Sequence, residues 1–565
     1  MKQYIKLLVI SAAASLLFTS CLKDLNQLPL NPNDVTAETA YGADETAYLN
    51  GLTKIYYEMV SIDLTDLSIG DGGASELVRA YWSLNENSTD ESKCSWGNDA
   101  WVRAINTNTW SEAANDASLA VYARTLHGIT FANEFLKQTA PDKLADRGCS
   151  EELKAKIDGF RAEARFLRAF YYFLSMDVFG RPAFVTEESP FGSVYPKQAE
   201  RVDVFNYIES ELKALVADGS AMPDARSNYP RADKGACWAL LARLYLNAEV
   251  YTGTARWEDA KAACEKVIGL GYSLATNYAD LFRGDNGENE DARKELIFTA
   301  AYHATQTQSY GGTTLLTFAC VGETDVTDAL HPNGVNGGWG GLRAPWEFVQ
   351  KYFTPSSVPA LDEDGRYTSA NYTIADKRGQ FFFLTNGAGL RYQDIPSEEA
   401  LYMFQYGWGC IKYNNTPHDK TAAEFNDEAK TKQFSDIDFP LFRLGEIYLI
   451  YAEACMNLND ASNATALGYL KALTDRAGVA APTTITKDYL VAERARELMW
   501  EGHRRTDLIR WGLFHSDTFL WPWKGGVKNG TGFPEYRNVF AIPPGEMSAN
   551  PELTQNEGYG TGSSE

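Results

Sequence analysis

The feature that most restricts the fold is a set of apolar stripes that recur at three- and four-residue spacing and come in consecutive pairs. Phe160, Ala164, Leu167, Phe170, Leu174 and Val178 mark one face of a long helix, and Phe205, Ile208, Leu212 and Leu215 mark the next. Cys237, Leu240, Leu244 and Ala248 follow, then Trp257, Ala260, Cys264 and Val267. After a long interval the pattern returns with Ile447, Ile450, Ala454 and Leu458, then with Leu467, Leu470, Leu473 and Ala477. One such helix cannot bury its stripe alone, whereas stacked pairs make a continuous core. A chain of 565 residues is long enough for one large core or two ordinary ones.

The segment WEDAKAACEKVI, residues 257–268, resembles the second helix of a tetratricopeptide unit, with the helix ending at Tyr251 as its first. The expected fold is therefore mainly α: a tetratricopeptide-like helical-repeat scaffold over about 115–270 and 438–512. Between about 271 and 435 the composition changes to Gly, Thr, Asn and Tyr. Short strand-like runs at 296–298 and 381–384 and turns at Gly311-Gly312 and Gly337-Gly338 predict a large, irregular, loop-rich insertion. Scaffold and insertion are read as one intertwined domain over 51–565, with the ligand-binding part at about 60–110 and 271–435, since loops on a rigid frame are where binding residues collect.

The first twenty residues read as an export signal. Lys2 and Lys6 open it, an apolar run over 7–18 follows, and Thr19-Ser20 precede Cys21. The run is too short to span a bilayer as a helix. A Cys directly after small residues predicts acylation at Cys21, a lipid anchor, and a tether over 21–50. The other seven cysteines are odd in number and include no C-x-x-C pair, so buried free thiols are expected. A net charge of −23 argues against nucleic acid and against a basic membrane patch.

Two loop regions combine aromatic and polar residues without a sustained period. One is 71–99, DGGASELVRAYWSLNENSTDESKCSWGND; the other runs from Tyr310 in SYGGTT to Trp339 in NGGWGG. A sugar ring offers apolar C–H faces and a polar rim, which suit an aromatic plane and Asp, Asn or Arg respectively. A further stretch, 493–512, ERARELMWEGHRRTDLIRWG, carries the apolar stripe of Ala492, Ala495, Leu498 and Met499 and ends at Gly502. Its charges stand at pairing distances along or between helices, and its plainest reading is one structural helix with charges on a wet face.

As a string, 493–512 resembles the C-terminal hallmark of the SusD/RagB family, the outer-surface glycan-binding lipoproteins. FRAEARFLRAFYYFLSMDVFG (160–180), DFPLFRLGEIYLIYAEA (438–454), IPPGEM and NPELTQNEGY extend the resemblance over nearly the whole mature chain. YPRADKGACWALLARLYLNAEVYTG (229–253), TNYADLFRGDNGENE (276–290) and FLWPWKGGVKNGT (519–531) resemble the starch-binding type in particular. That resemblance implies an arc of three aromatics, here Trp96, Tyr310 and Trp339, with Arg79, Asp71 and either Asn98 or Asp99 holding hydroxyls of a curved α-glucan. It also implies delivery to a SusC-like TonB-dependent transporter. No cofactor is implied beyond a structural calcium at Asp436 and Asp438, with Gly287 where the family has a third carboxylate.

The implied protein is not an enzyme. The sequence has no H-E-x-x-H, P-loop or G-x-S-x-G motif, and none of its 75 carboxylates is singled out as half of a glycosidase pair. The alternatives are the same role for a fructan or host glycan, a surface glycoside hydrolase, or a structural surface scaffold.

Overall fold

The computed structural model describes residues 40–62, 69, 71–112, 116–190, 195–322, 332–356, 373–384, 395–404 and 406–560. The export signal, Cys21 and most of the tether lie outside them. The principal helices are α1 (Glu45–Tyr57), α2 (Leu77–Glu86), α3 (Ala100–Thr107), α4 (Asp116–Gln138), α5 (Glu151–Phe179), α6 (Arg201–Val216), α7 (Lys234–Leu246) and α8 (Trp257–Gly269). After the insertion come α11 (Leu444–Asn457), α12 (Ala464–Ala477), α13 (Lys487–Glu497) and α14 (Arg504–Arg510); the insertion itself contains α9 (Gly312–Phe318) and α10 (Trp346–Phe353).

The paired stripes fold as the spacing predicts. Ser150 opens α5 by accepting the Leu153 N–H, and Gly180 closes it at φ 73°. Asp233 caps α7 through the N–H groups of Gly235 and Ala236, and Asn463 caps α12. Each helix packs on its successor from α4 to α8, and α8 then packs on α11, so the stack continues across the insertion. Their buried faces join one main core. The fold is thus a helical scaffold of tetratricopeptide type with a loop-rich insertion.

Three short antiparallel pairs fasten that insertion. β2 (Leu296–Ala300) pairs with β6 (Phe439–Arg443), with Leu296 opposite Arg443 and Ala300 opposite Phe439, closing the insertion at its neck. β1 (Lys93–Cys94) pairs with β3 (Leu342–Arg343), which brings the first loop region beside the second. β4 (Phe382–Phe383) pairs with β5 (Gly409–Cys410). No helix among the described residues is long and apolar enough to cross a membrane.

The hallmark stretch departs from expectation twice. It is two helices, not one: α13 stops at Glu497, Trp500 turns at φ 60° and Gly502 at φ 81°, and α14 begins at Arg504. Tertiary contacts hold that turn. The Trp500 indole lies edge-on to Trp82 at 5.6 Å and donates to the Glu91 carbonyl, while its own carbonyl accepts from Trp82 and Tyr413.

Nor do the charges face water. Glu493, Glu497, Glu501, Arg504 and Arg505 are all buried. Arg443 reaches Glu295 at 2.8 Å, Glu497 at 2.7 Å and Glu501 at 2.7 Å, while Arg378 reaches Asp376, Glu493 and Glu497 at 2.7–2.8 Å. Arg476 joins Glu295 to Glu497. Arg378 and Glu295 belong to the insertion, so this network ties it to the scaffold. The seven described cysteines are free and buried, and burial pushes the thiols of Cys94 and Cys410 up to about 12, far from a reactive thiolate.

Candidate glycan-binding site

Arg79, on the first turns of α2, organises the expected site. Its guanidinium is buried and makes a fork with the Asp71 carboxylate, with Nη1 to Oδ1 at 3.1 Å. Nη1 also donates to the Tyr310 carbonyl at 3.4 Å, and the guanidinium carbon lies 5.7 Å from the centre of the Trp96 ring. One side chain therefore joins the loop at 71, the Trp96 loop and the Tyr310 loop, the last of which lies 231 positions from Arg79. Burial alone would raise the Asp71 carboxyl, yet Arg79 and the Gly73 N–H hold it below the usual carboxylate range. Asp71 is a third exposed and ionised, an acceptor suited to hydroxyls.

The aromatic residues follow from backbone pairing. The β1–β3 ladder and the bond from Ser95 N–H to the Gly341 carbonyl, 2.7 Å, place Trp96 against the GGWGG turn. Gly341, at φ 105°, has no room for a side chain because the Trp96 indole fills that space. Trp339 lies two residues before it, stacks on Phe318 at 4.7 Å and 24°, and stands 6.1 Å from Tyr310. Trp339 is 36% exposed although it is a large apolar side chain. Tyr310 leans on Phe434 at 4.9 Å, and its hydroxyl accepts from Gln433 at 2.6 Å. Asn98 is exposed; Asp99 is half-buried and opens α3 without a side-chain capping bond.

Beneath these residues lies a buried carboxylate that the sequence reading did not single out. Glu76 accepts from Tyr302 Oη at 2.7 Å, from Ser309 Oγ at 2.9 Å and from the Arg79 N–H at 3.4 Å. Gly311 packs so closely on it that a side chain would collide with the carboxylate. Burial pushes Glu76 up to about 7, against the partial opposition of Tyr302, Ser309 and Arg79. Phe318, Gln433 and Phe434 were missed as well; they support the rings from segments whose apolar pattern reads only as packing.

Asp436 and Asp438 do not fit a calcium ion as they stand. Asp436 accepts from Lys432 Nζ at 2.8 Å and from the Ala304 N–H at 2.8 Å. Asp438 is buried and accepts from Tyr229 Oη at 2.7 Å and the Tyr302 N–H at 3.0 Å. These are hydrogen-bond donors and a cation, not the shared oxygen cage a hard divalent ion takes. Burial moves Asp438 up to about 6 despite those donors, with the charges of Glu288 and Asp436 adding to the shift.

Comparison with known proteins agrees with the fold. A family model described as "SusD family" matches residues 294–559, and one described as "Starch-binding associating with outer membrane" matches 71–246. The chain is 33% identical over 583 aligned positions to the starch-binding protein SusD of Bacteroides thetaiotaomicron, covering 99% of each. A SusD superfamily structure from Parabacteroides distasonis superposes with a TM-score of 0.67 at 19% identity, over 93% of this chain and 100% of that one. A laminarin-binding SusD-like protein superposes at 0.62 with 20% identity, over 92% and 100%.

Proposed function

The chain belongs to the SusD family, and on that membership we propose that it binds starch-type α-glucan at the cell surface without catalysing its cleavage. The observation that carries this reading is that one buried Arg79, ion-paired to Asp71, joins the Trp96 ring to the Tyr310 backbone, while the Tyr310 ring stands 6.1 Å from Trp339. Non-coplanar rings suit a curved chain: Tyr310 and Trp339 are inclined at 51°. Asp71, the carboxylate at the arc, is ion-paired and held ionised, which suits a hydroxyl acceptor and not the proton donor a glycosidase needs.

Stacked rings contribute about 0.5–1.5 kcal/mol each beyond burial. With a few hydrogen bonds, that suggests an oligosaccharide dissociation constant of roughly 0.1–1 mM. Long polymers gain from engaging several anchored copies. Acylation at Cys21 would hold the protein on the outer membrane, where it would pass captured oligosaccharide to a SusC-like TonB-dependent transporter. Unchanged glycan uptake after loss of that transporter would overturn the delivery role.

A second reading, the same role for another glycan such as a fructan or host glycan, is favoured by one observation: a protein of the same fold binds laminarin. Calorimetry of the soluble chain from Leu22 onward against amylopectin, pullulan, dextran, a fructan and a β-glucan separates the two. Binding to α-1,4-glucans that Trp96→Ala or Trp339→Ala abolishes, with the fold intact, supports the starch reading. Wild-type silence on α-glucans with binding elsewhere in the panel supports the second.

A further inference from the structure

We propose that Phe404 forms a fourth apolar platform beside the Trp96, Tyr310 and Trp339 arc and takes an additional sugar ring of a longer α-glucan. The inference rests on the glycan reading above and extends it to a residue outside the expected set. Phe404 is 45% exposed and its neighbour Met403 52%, in a chain whose other large apolar side chains are mostly buried. These two adjacent residues make a small exposed apolar patch.

Its position identifies the occupant. Gly340 and Gly341 follow Trp339 directly, at φ 62° and 105°. The space a side chain would take at Gly341 is filled by the Trp96 indole, and the same space at Gly340 ends 3.2 Å from the Phe404 ring. Trp96 and Phe404 therefore pack against successive residues of the turn that presents Trp339, so the exposed ring is continuous with the arc.

The platform is also held in place. Residues around it have a small core of their own, made by Ile395, Ala400, Leu401, Tyr406 and Trp523. Arg103, on α3 just past Asp99, forks Glu399 at 2.9 and 3.1 Å and lies 4.2 Å from the Tyr402 ring centre. Tyr402 in turn closes on Gly97, the residue after Trp96. These contacts fix the segment to the Trp96 side of the site and leave Phe404 facing solvent.

Calorimetry with a ladder from maltotriose to maltoheptaose tests the proposal on wild type, Phe404→Ala, Phe404→Leu, Phe404→Trp and Trp96→Ala. The expected result is unchanged affinity of both Phe404→Ala and Phe404→Leu for maltotriose and a ~3–10-fold loss for maltoheptaose, the size of one stacked ring. Phe404→Leu keeps apolar bulk without a ring, and Phe404→Trp restores near wild-type behaviour. Equal affinity at every length, with Trp96→Ala defective, overturns the platform alone. A loss that is the same at every length also overturns it, because that marks a general structural role. Wild-type silence across the ladder overturns the starch reading and the platform with it.

Discussion

Replacing Glu497 with Gln removes one charge from the point where three buried arginines meet. Glu497 is fully buried and accepts from Arg443 at 2.7 Å, Arg378 at 2.7 Å and Arg476 at 2.6 Å. Burial acts to raise its carboxyl, but the three guanidinium groups overcome that and bring it down to about 2 from an ordinary 4.5. The difference, about 2.5, corresponds to about 3 kcal/mol of stability. Removing one partner of a buried ion pair costs about 3–5 kcal/mol in other proteins, which is the same scale. Because the folded-state value is depressed, the contribution is present above pH 4.5 and is lost as pH falls through about 2. Urea unfolding of wild type and Glu497→Gln should therefore differ by about 3 kcal/mol at pH 7 and by only about 1 kcal/mol at pH 3. A gap below about 1 kcal/mol at pH 7, or one that does not narrow in acid, would refute the assignment of Glu497 as the electrostatic tie between insertion and scaffold.

Two other outcomes follow from the buried acids. Glu76, held near 7, keeps a proton in the folded chain that the unfolded chain releases above 4.5, so this group lowers stability as pH rises across that window. Glu76→Gln should remove that dependence and gain on wild type by up to about 3 kcal/mol between pH 5 and 8; parallel urea titrations that never diverge would contradict it. Because Lys432 already neutralises Asp436, millimolar calcium or a chelator should leave the melting temperature within about 1 °C. A clear calcium-dependent rise that Asp438→Asn abolishes would restore those carboxylates as a metal site.

The helical scaffold was legible because its signal is local. The stripes from Phe160 to Val178 and from Ile447 to Leu458 repeat within the helices that bury them. The hallmark was legible as a string and misread as a surface. Glu493 and Glu497 sit near Arg494 and Arg496 in sequence, but Arg378 and Arg443, which decide their burial, lie 54 to 119 positions away. The helix break at Trp500 is likewise set by Trp82 and Glu91, which no local propensity reports.

At the site, Trp96, Tyr310 and Trp339 stood out because aromatics in polar loops are uncommon in packing. Arg79, expected as a sugar contact, has a buried guanidinium that also joins three loops, a role no local pattern reports. Tyr402 and Phe404 fall in a stretch with no period, and their relation to Gly97 and Gly340 exists only in three dimensions. The pairing of Asp436 with Lys432 was readable in the sequence, since Lys432 precedes it by four residues.

The single guanidinium of Arg79 spans loops separated by more than two hundred positions, and this sets when the site can exist during folding. Closing so long a loop is entropically unfavourable until the neck strands β2 and β6 and the buried ion network have brought the insertion back to the scaffold. A chain arrested or nicked before α13 is laid down lacks Glu493 and Glu497, hence the counter-charges for Arg378 and Arg443, and would present the three rings without register. Glycan capture then becomes a readout of completed folding: only molecules finished through Glu497 can hold ligand.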